Sequence, residues 1–392
     1  MKLRLPEYFV DFACIGGKCP DSCCVGWELD IDEETYDYYQ ALPGSFGERL
    51  RAAISRKSDS GGAGGVFGLE GDYTFRVPVN GRCPFLNRDN LCDIVLTLGP
   101  EALCTVCSEY PRYTFQLGNS IEKSLTLSCP EAGRLIFTMI RPMGFTETDL
   151  GESEAGALFD EDGTSGEAFS EEEELFCRAV GRVRDTAIRI LSARPRPLSE
   201  RTACFIRYAE RMQELLNDSA YLTSFPARYE EAGAPFEAFL LEPKFLSGAV
   251  PDGFDEFEER LRILSGLEVL DTRWEKSLEG LRRMASEGIY AARLDAYRAF
   301  RREDPLDDYE FLLCYFVNRY FPRAAYDLNL LSKARLALFG CLTVRDLDAA
   351  LFHENEGRFS FSDRIRNAAN YSREVEHSDE NLELIEEELI FN

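Results

Sequence analysis

Histidine is nearly absent from this chain: two in 392 residues, His353 and His377, both near the far end. A metal site in the first two-thirds must therefore draw its ligands from other side chains. Long apolar runs are missing too. No stretch approaches the ~18 consecutive apolar residues of a membrane helix, so no membrane span is expected. The opening MKLRLPEYFVDFAC has no long apolar core and no small-residue cleavage site, and it reads as no signal peptide. Both readings point to the cytoplasm, where thiols stay reduced.

Positive charge is scarce as well: 44 basic against 70 acidic residues, a formal net charge of −26. That excess repels nucleic-acid phosphates and anionic lipid, so neither nucleic acid nor membrane is an expected partner. It suits solubility, and it suits a Lys-presenting protein partner. Only seven of the basic residues are lysine, a skew with no assigned role. No internal repeat is visible. No spacing matches the standard ferredoxin runs, and the radical-SAM Cys-x3-Cys-x2-Cys is absent.

What is abundant is cysteine. Nine of the thirteen lie in residues 1–129. The other four, Cys177, Cys204, Cys314 and Cys341, are scattered through apolar helical patterns and are expected to be small buried hydrophobes. The early nine form Cys14-x4-Cys19-x3-Cys23-Cys24, then Cys83-x8-Cys92-x11-Cys104-x2-Cys107, then Cys129. Short spacings let several thiolates converge on one ion, and soft thiolate suits zinc or iron–sulfur iron. Gly16, Gly17, Pro20 and Pro84 supply the tight turns. With so little histidine, the site must be nearly all cysteine unless carboxylates join it. Four-Cys zinc and a cubane iron–sulfur cluster both fit. Nine thiols fill two four-ligand sites and leave one over. Without an export signal, disulfides are disfavoured.

The length allows two or three domains at roughly 100–200 residues each. Residues 1–140 read as an irregular Cys-rich metal-binding domain. Ser58 to Asp72 is a Gly-rich loop. Its Gly62-x-Gly64 lacks the strand and helix of a phosphate loop. TFRVPV, near Thr74 to Val79, reads as an edge strand because of its proline. Residues 141–174 read as an acidic linker or insertion: Thr146 to Glu174 holds twelve acidic and no basic residues. Ser170 and Glu173 form a capping-box signature for a helix to about Leu191, which ARPRPL breaks. Residues 175–392 read as a larger α-helical domain. Its helices are expected at Glu200 to Leu216, Phe254 to Ser265, Thr272 to Ala285, Asp307 to Tyr320, and Ala325 to Phe339 closed by Gly340. YEFLLCYFVNRYF is apolar almost all round and should be buried, with Pro322 ending or kinking it. The expected fold is mainly α, the Cys-rich domain packed on the helical one.

These blocks resemble the flagellin lysine-N-methylase family. FACIGGKCPDSCCVGWELDID, followed by Thr35 and Tyr36, is similar to its opening motif. CPFLNRDNLCDIVLTLGPEALCTVCSEYPRY is similar to its second motif and to a broader group of zinc- or iron-chelating proteins. SLTLSCPEAGRLI looks like its third, and YEFLLCYFVNRYFP resembles its C-terminal helix more loosely. The resemblance implies methyl transfer from S-adenosylmethionine to lysines of flagellin by an enzyme carrying an iron–sulfur cluster. It implies metal ligation by Cys14, Cys19, Cys23, Cys24, Cys83, Cys92, Cys104, Cys107 and Cys129. The Gly-rich loop of the common Rossmann methyltransferases is not present, so the donor pocket is not located by motif and no catalytic residue is named.

Methyl transfer to lysine requires a neutral amine, so a desolvated or carboxylate- or tyrosinate-assisted pocket must remove the ammonium proton. Aromatic faces and acidic groups would stabilise the cationic donor. Trp27, Tyr110 and Arg112 lie inside the Cys blocks and are candidate cofactor-binding residues. Arg112 could pair with a carboxylate. The competing reading is a non-enzymatic zinc- or iron-binding protein whose helices bind a partner.

Overall fold

A computed structural model describes the chain except residues 27–28, 57–71, 77–80, 152–168, 195, 219–223, 232–249, 251, 303–307 and 392. The fold is mainly helical and divides into two compact units. One comprises Phe12–Tyr113 and Leu125–Gly133. The other comprises Met1–Asp11, Thr114–Ser124 and Arg134–Asn392. This division is not linear along the sequence. Residues 1–11 and 114–124, expected within a continuous domain of residues 1–140, group with the helical unit, because strand pairing places them there.

That pairing is a four-stranded sheet in the order Arg112–Leu117, Ser120–Leu125, Lys2–Pro6, Phe145–Asp149. Lys2–Pro6 runs parallel to Ser120–Leu125 and antiparallel to Phe145–Asp149. The beginning of the acidic run is thus a strand: Thr146 to Asp149 pairs with Leu5 to Lys2. Its mostly exposed side chains carry the charge while the backbone is paired. The rest of the run, 152–168, lies outside the described residues. Buried Arg184 pairs with Glu122, and Arg4 reaches Asp185 at 2.8 Å, tying this sheet to the helix Glu171–Leu191.

The capping box expected at Ser170 is formed. The Ser170 hydroxyl accepts from the Glu173 N–H, and the Glu173 carboxylate accepts from the Ser170 N–H, so two otherwise unpaired donors are satisfied. Leu198–Asn217, Phe254–Ser265, Thr272–Arg282 and Asp308–Tyr320 follow the expected ranges. The last is buried on nearly every side and ends in a short 3-10 turn at Phe321–Arg323, where Pro322 cannot continue it.

One helix departs from expectation. Gly340 does not terminate a helix; it lies inside Leu330–Glu354. A Cβ there would meet Tyr371 Oη at 2.9 Å and Phe316 Cε2 at 3.0 Å. The glycine serves close helix packing rather than a left-handed cap. This helix packs against Asp308–Tyr320, Leu198–Asn217 and Phe361–Val375, and so forms the centre of the helical unit. Cys177, Cys204, Cys314 and Cys341 are all buried in this unit, as small apolar side chains should be.

The Cys-rich unit has its own core. Leu29, Ile31, Tyr39, Leu50, Ile54, Phe75, Phe85 and Ile94 pack with Cys83 and Cys104. A three-stranded sheet runs Asp30–Ile31, Tyr73–Phe75, Ile54–Arg56. Tyr73–Phe75 is therefore central, not the edge strand anticipated from its proline. Pro78 and residues 58–71, where a Gly-rich loop was expected, lie outside the described residues. Among the described residues no helix is long and apolar enough to cross a membrane.

Candidate functional site

The nine early cysteines all fall in the Cys-rich unit. Their loops are stapled by backbone hydrogen bonds. The Cys83 N–H donates to the Cys24 carbonyl and the Gly26 N–H to the Gly81 carbonyl, both at 2.8 Å. The second block folds back on itself through an antiparallel bridge between Leu86 and Cys92. Asn87 Oδ1 accepts from the N–H groups of Asp89 and Leu91, a side-chain-made turn. Gly17 packs so tightly that a Cβ would meet the Asp89 carbonyl oxygen at 2.8 Å, which brings the first Cys loop against the second. Asp32 caps the helix Glu33–Ala41 through the Thr35 N–H and also accepts from Thr105, next to Cys104.

Within this unit lies a cavity of about 420 Å³, in the range that admits a small organic ligand. Seven of the nine cysteines line it: Cys14, Cys19, Cys23, Cys24, Cys92, Cys107 and Cys129. Cys83 and Cys104 lie in the core behind them. Tyr110 and Arg112 line the same cavity. Tyr110 Oη is 3.1 Å from Ser128 Oγ, and the Arg112 guanidinium stacks over the Phe12 ring at 5.2 Å. Trp27, the third candidate, lies outside the described residues. Phe12, Asp21 and Glu131 also line the cavity. The sequence reading did not single them out, although each stands within two residues of a cysteine in the quoted blocks.

Among the described residues, which include all thirteen cysteines, there is no disulfide. Sulfur meets sulfur in two pairs, Cys23 with Cys24 and Cys104 with Cys107. Several sulfurs also accept backbone N–H groups: Cys83 from Phe85, Cys92 from Val95 and Ile94, Cys129 from Ala132 and Glu131. Such bonds favour thiolate, but burial outweighs them. It pushes Cys83 up to about 12, Cys129 up to about 11 and Cys92 above the ordinary thiol value. Cys24 goes the other way, to about 7, because Cys23 hydrogen-bonds to it and the Ser22 hydroxyl and the Arg82 charge assist. Cys23 keeps the proton of the pair and is raised.

No three His, Cys, Asp or Glu side chains converge as a finished ligand set among the described residues. The Cys-rich metal-binding domain expected from the sequence is thus present as a thiol-rich unit, not as an assembled centre. The donor chemistry does fit a soft metal: the cavity wall is rich in thiols, and backbone N–H groups are aimed at sulfur.

The helical unit carries a second kind of polar site that composition did not reveal. Fully buried Glu376 accepts from Tyr315 Oη at 3.1 Å and from Ser372, and pairs with Arg319 at 3.2 Å. Buried Asp348 pairs with Arg364 at 2.8 Å and accepts from Tyr309 at 2.7 Å. Asp346 pairs with Arg260 at 2.7 Å, and Glu310 with Arg194 at 2.9 Å. These buried carboxylates are each matched by arginine, as buried charges require.

A thiol-lined cavity in one unit and a mainly α second unit define a Cys-rich, mainly helical protein. The FliB lysine N-methylase C-terminal domain family matches residues 184–392, more than half of the chain. The chain belongs to the FliB lysine N-methylase family. It is 30% identical over 148 residues to the lysine-N-methylases of Salmonella choleraesuis (strain SC-B67) and Salmonella typhimurium (strain LT2). Those alignments span 37% of this chain and 35% of the relatives' length. It is 32% identical over 129 residues to the flagellar biosynthetic protein FliU of Salmonella muenchen, covering 32% of this chain and 71% of that one. No solved structure matches the chain.

Proposed function

We propose that this chain is an S-adenosylmethionine-dependent protein lysine N-methyltransferase, with flagellin lysines as substrate and a Cys-ligated iron–sulfur centre in the Cys-rich unit. Membership of the FliB lysine N-methylase family is the observation that carries this reading. The flagellar name of one relative supports the choice of substrate.

The cavity suggests how the residues divide the work. Arg112 offers a planar fork to the donor's carboxylate, oriented by the Phe12 ring beneath it. Aromatic faces at Phe12 and Tyr110 suit the sulfonium cation. In the reaction the lysine nitrogen's lone pair attacks the methyl carbon, the carbon–sulfur bond breaks, and S-adenosylhomocysteine leaves. The substrate ammonium must first lose a proton. Glu131, the more buried carboxylate on the cavity wall, is placed to accept it. A thiolate-ligated iron–sulfur or zinc centre would be held by ligands drawn from these nine cysteines, four to a centre, and would supply a Lewis-acidic metal in the same unit.

The test is methyl transfer from labelled donor to purified flagellin, with anaerobically prepared full chain and parallel iron, zinc and sulfide analysis. Labelled lysine is the expected result. Metal-replete protein that binds metal but methylates no lysine would sink the enzyme reading and leave a metal-binding module.

A further inference from the structure

We propose that the helical unit carries a ligand site of its own, for a small aliphatic monocarboxylate, where the end of the helix Leu198–Asn217 meets the start of the helix Leu330–Glu354. It needs neither the early thiols nor the methyl donor, and so goes beyond the function proposed above.

The loop before the long helix turns at Leu328, whose φ of 61° is left-handed backbone that a leucine rarely adopts. Gln213 holds it there. Its Nε2 donates to the Leu328 carbonyl at 3.1 Å, and its Oε1 accepts from the Leu331 N–H at 3.2 Å. Asn329 caps the helix by accepting from the Ser332 N–H at 3.0 Å. Beside these bonds lies a cavity of about 290 Å³, at the small end of ligand sites.

Two side chains on its wall are left incomplete. Ser332 is 3% exposed, and its Oγ has no hydrogen-bond partner among the described residues. A buried hydroxyl without a partner is uncommon and points to one that is missing. Arg335 stands one turn further along the same helix face. It donates to the Leu389 carbonyl at 2.7 Å and pairs with no carboxylate among the described residues, so most of its five N–H donors remain. The neighbouring charges are engaged with one another. Asp327 accepts from the Asn329 N–H at 3.0 Å and pairs with Lys333, which also holds Glu386 at 2.7 Å. Arg335 is the cation left over, and the positive end of a 25-residue helix adds to its field. The Leu331 and Ser332 N–H groups are already taken, so side chains rather than the helix end must grip the ligand.

One uncompensated guanidinium beside one unpaired hydroxyl suits a monoanion with two acceptor oxygens, which is a carboxylate. Leu328, Leu331, Leu389 and Ile390 supply the apolar part of the wall, which suits a short aliphatic body.

Calorimetric titration of the full chain with valerate tests this. Saturable binding at one site is expected. Pentanol, which has the body without the charge, and acetate, which has the charge without the body, should each bind at least about tenfold more weakly. Arg335→Gln should weaken valerate by at least about tenfold. Ser332→Ala should weaken it about threefold to tenfold, yet leave the unliganded chain as stable as before or more so, because an unpaired hydroxyl is removed. No saturable binding of valerate, pentanol bound as tightly as valerate, or unchanged valerate affinity in Arg335→Gln would each overturn the site. So would a loss of stability in unliganded Ser332→Ala, since the hydroxyl would then have its partner within the fold. The comparison of valerate, pentanol and acetate on the wild type decides the matter even where Arg335→Gln fails to fold.

Discussion

The backbone N–H of Cys83 donates to the carbonyl of Cys24 at 2.8 Å, joining the first Cys block to the second. Side chains on either side of this staple therefore depend on each other for position. Replacing Cys23 and Cys24 together by Ser should remove the two thiols at the junction without breaking that backbone bond. Iron or zinc content should fall by at least half, since hydroxyl is a poor ligand for soft metals, and methylation should fall with it. Cys177→Ser is the control. Its sulfur is buried in the helical unit, so metal content should be unchanged and stability reduced by about 1–3 kcal/mol from a buried hydroxyl. Metal analysis and denaturant titration check both; full metal in the Cys23/Cys24 variant would remove these residues from the ligand set.

Arg112 is positioned by its stack on Phe12. Arg112→Lys keeps the charge and loses the two-pronged geometry. The dissociation constant for S-adenosylmethionine should rise roughly tenfold to a hundredfold, the worth of a charge-assisted hydrogen-bond pair. Calorimetry on the variant reads it. Unchanged donor affinity would place the carboxylate elsewhere.

Glu374 is buried and accepts from the N–H groups of Leu270 and Asp271, at 2.9 and 3.2 Å. Burial nevertheless raises its carboxyl from 4.5 to about 7. The native state then holds a proton that the unfolded state has released between these two values. Stability should fall as pH rises from about 4.5 to about 7 and level off above. The contribution is on the order of 2 kcal/mol, allowing for partial screening by solvent. Glu374→Gln, which cannot ionise, should flatten that slope. Urea titrations at pH 5 and pH 7 compare the two proteins; parallel slopes would show that another group is responsible.

Gly340→Ala ordinarily favours a helix interior by up to ~1 kcal/mol. Here the added methyl meets Tyr371 Oη and Phe316 Cε2, both on fully buried rings. Net destabilisation of about 1–3 kcal/mol is expected from overpacking, read by thermal or urea unfolding. A stabilised variant would mean that the helices can shift apart without cost.

Much of the helical unit was legible because its signals are local. The Ser170–Glu173 box, the proline breaks and the apolar periodicity of Asp308–Tyr320 each act within a few residues. The gathering of the nine early cysteines was legible too, since their short spacings keep them in one stretch of chain, and all nine fall in one unit. What local pattern could not show was pairing across long separations. Gly340 carries the residue type of a helix end, yet Tyr371 and Phe316 hold it in mid-helix. Tyr73–Phe75 resembles an edge strand, yet it is paired on both sides by Asp30–Ile31 and Ile54–Arg56. Lys2–Pro6 finds its partners at Ser120–Leu125 and Phe145–Asp149, which moves it out of the Cys-rich unit. The amino-acid order thus determined where the thiols cluster and, within two residues, where five helices of the helical unit start; Glu287–Arg301, Phe361–Val375 and Asp379–Phe391 were not anticipated. The tertiary structure alone decided which thiols sit in the core, which line the cavity, and that Phe12 and Glu131 join them, because side-chain neighbours are set by hydrogen bonds and packing between segments far apart in the chain.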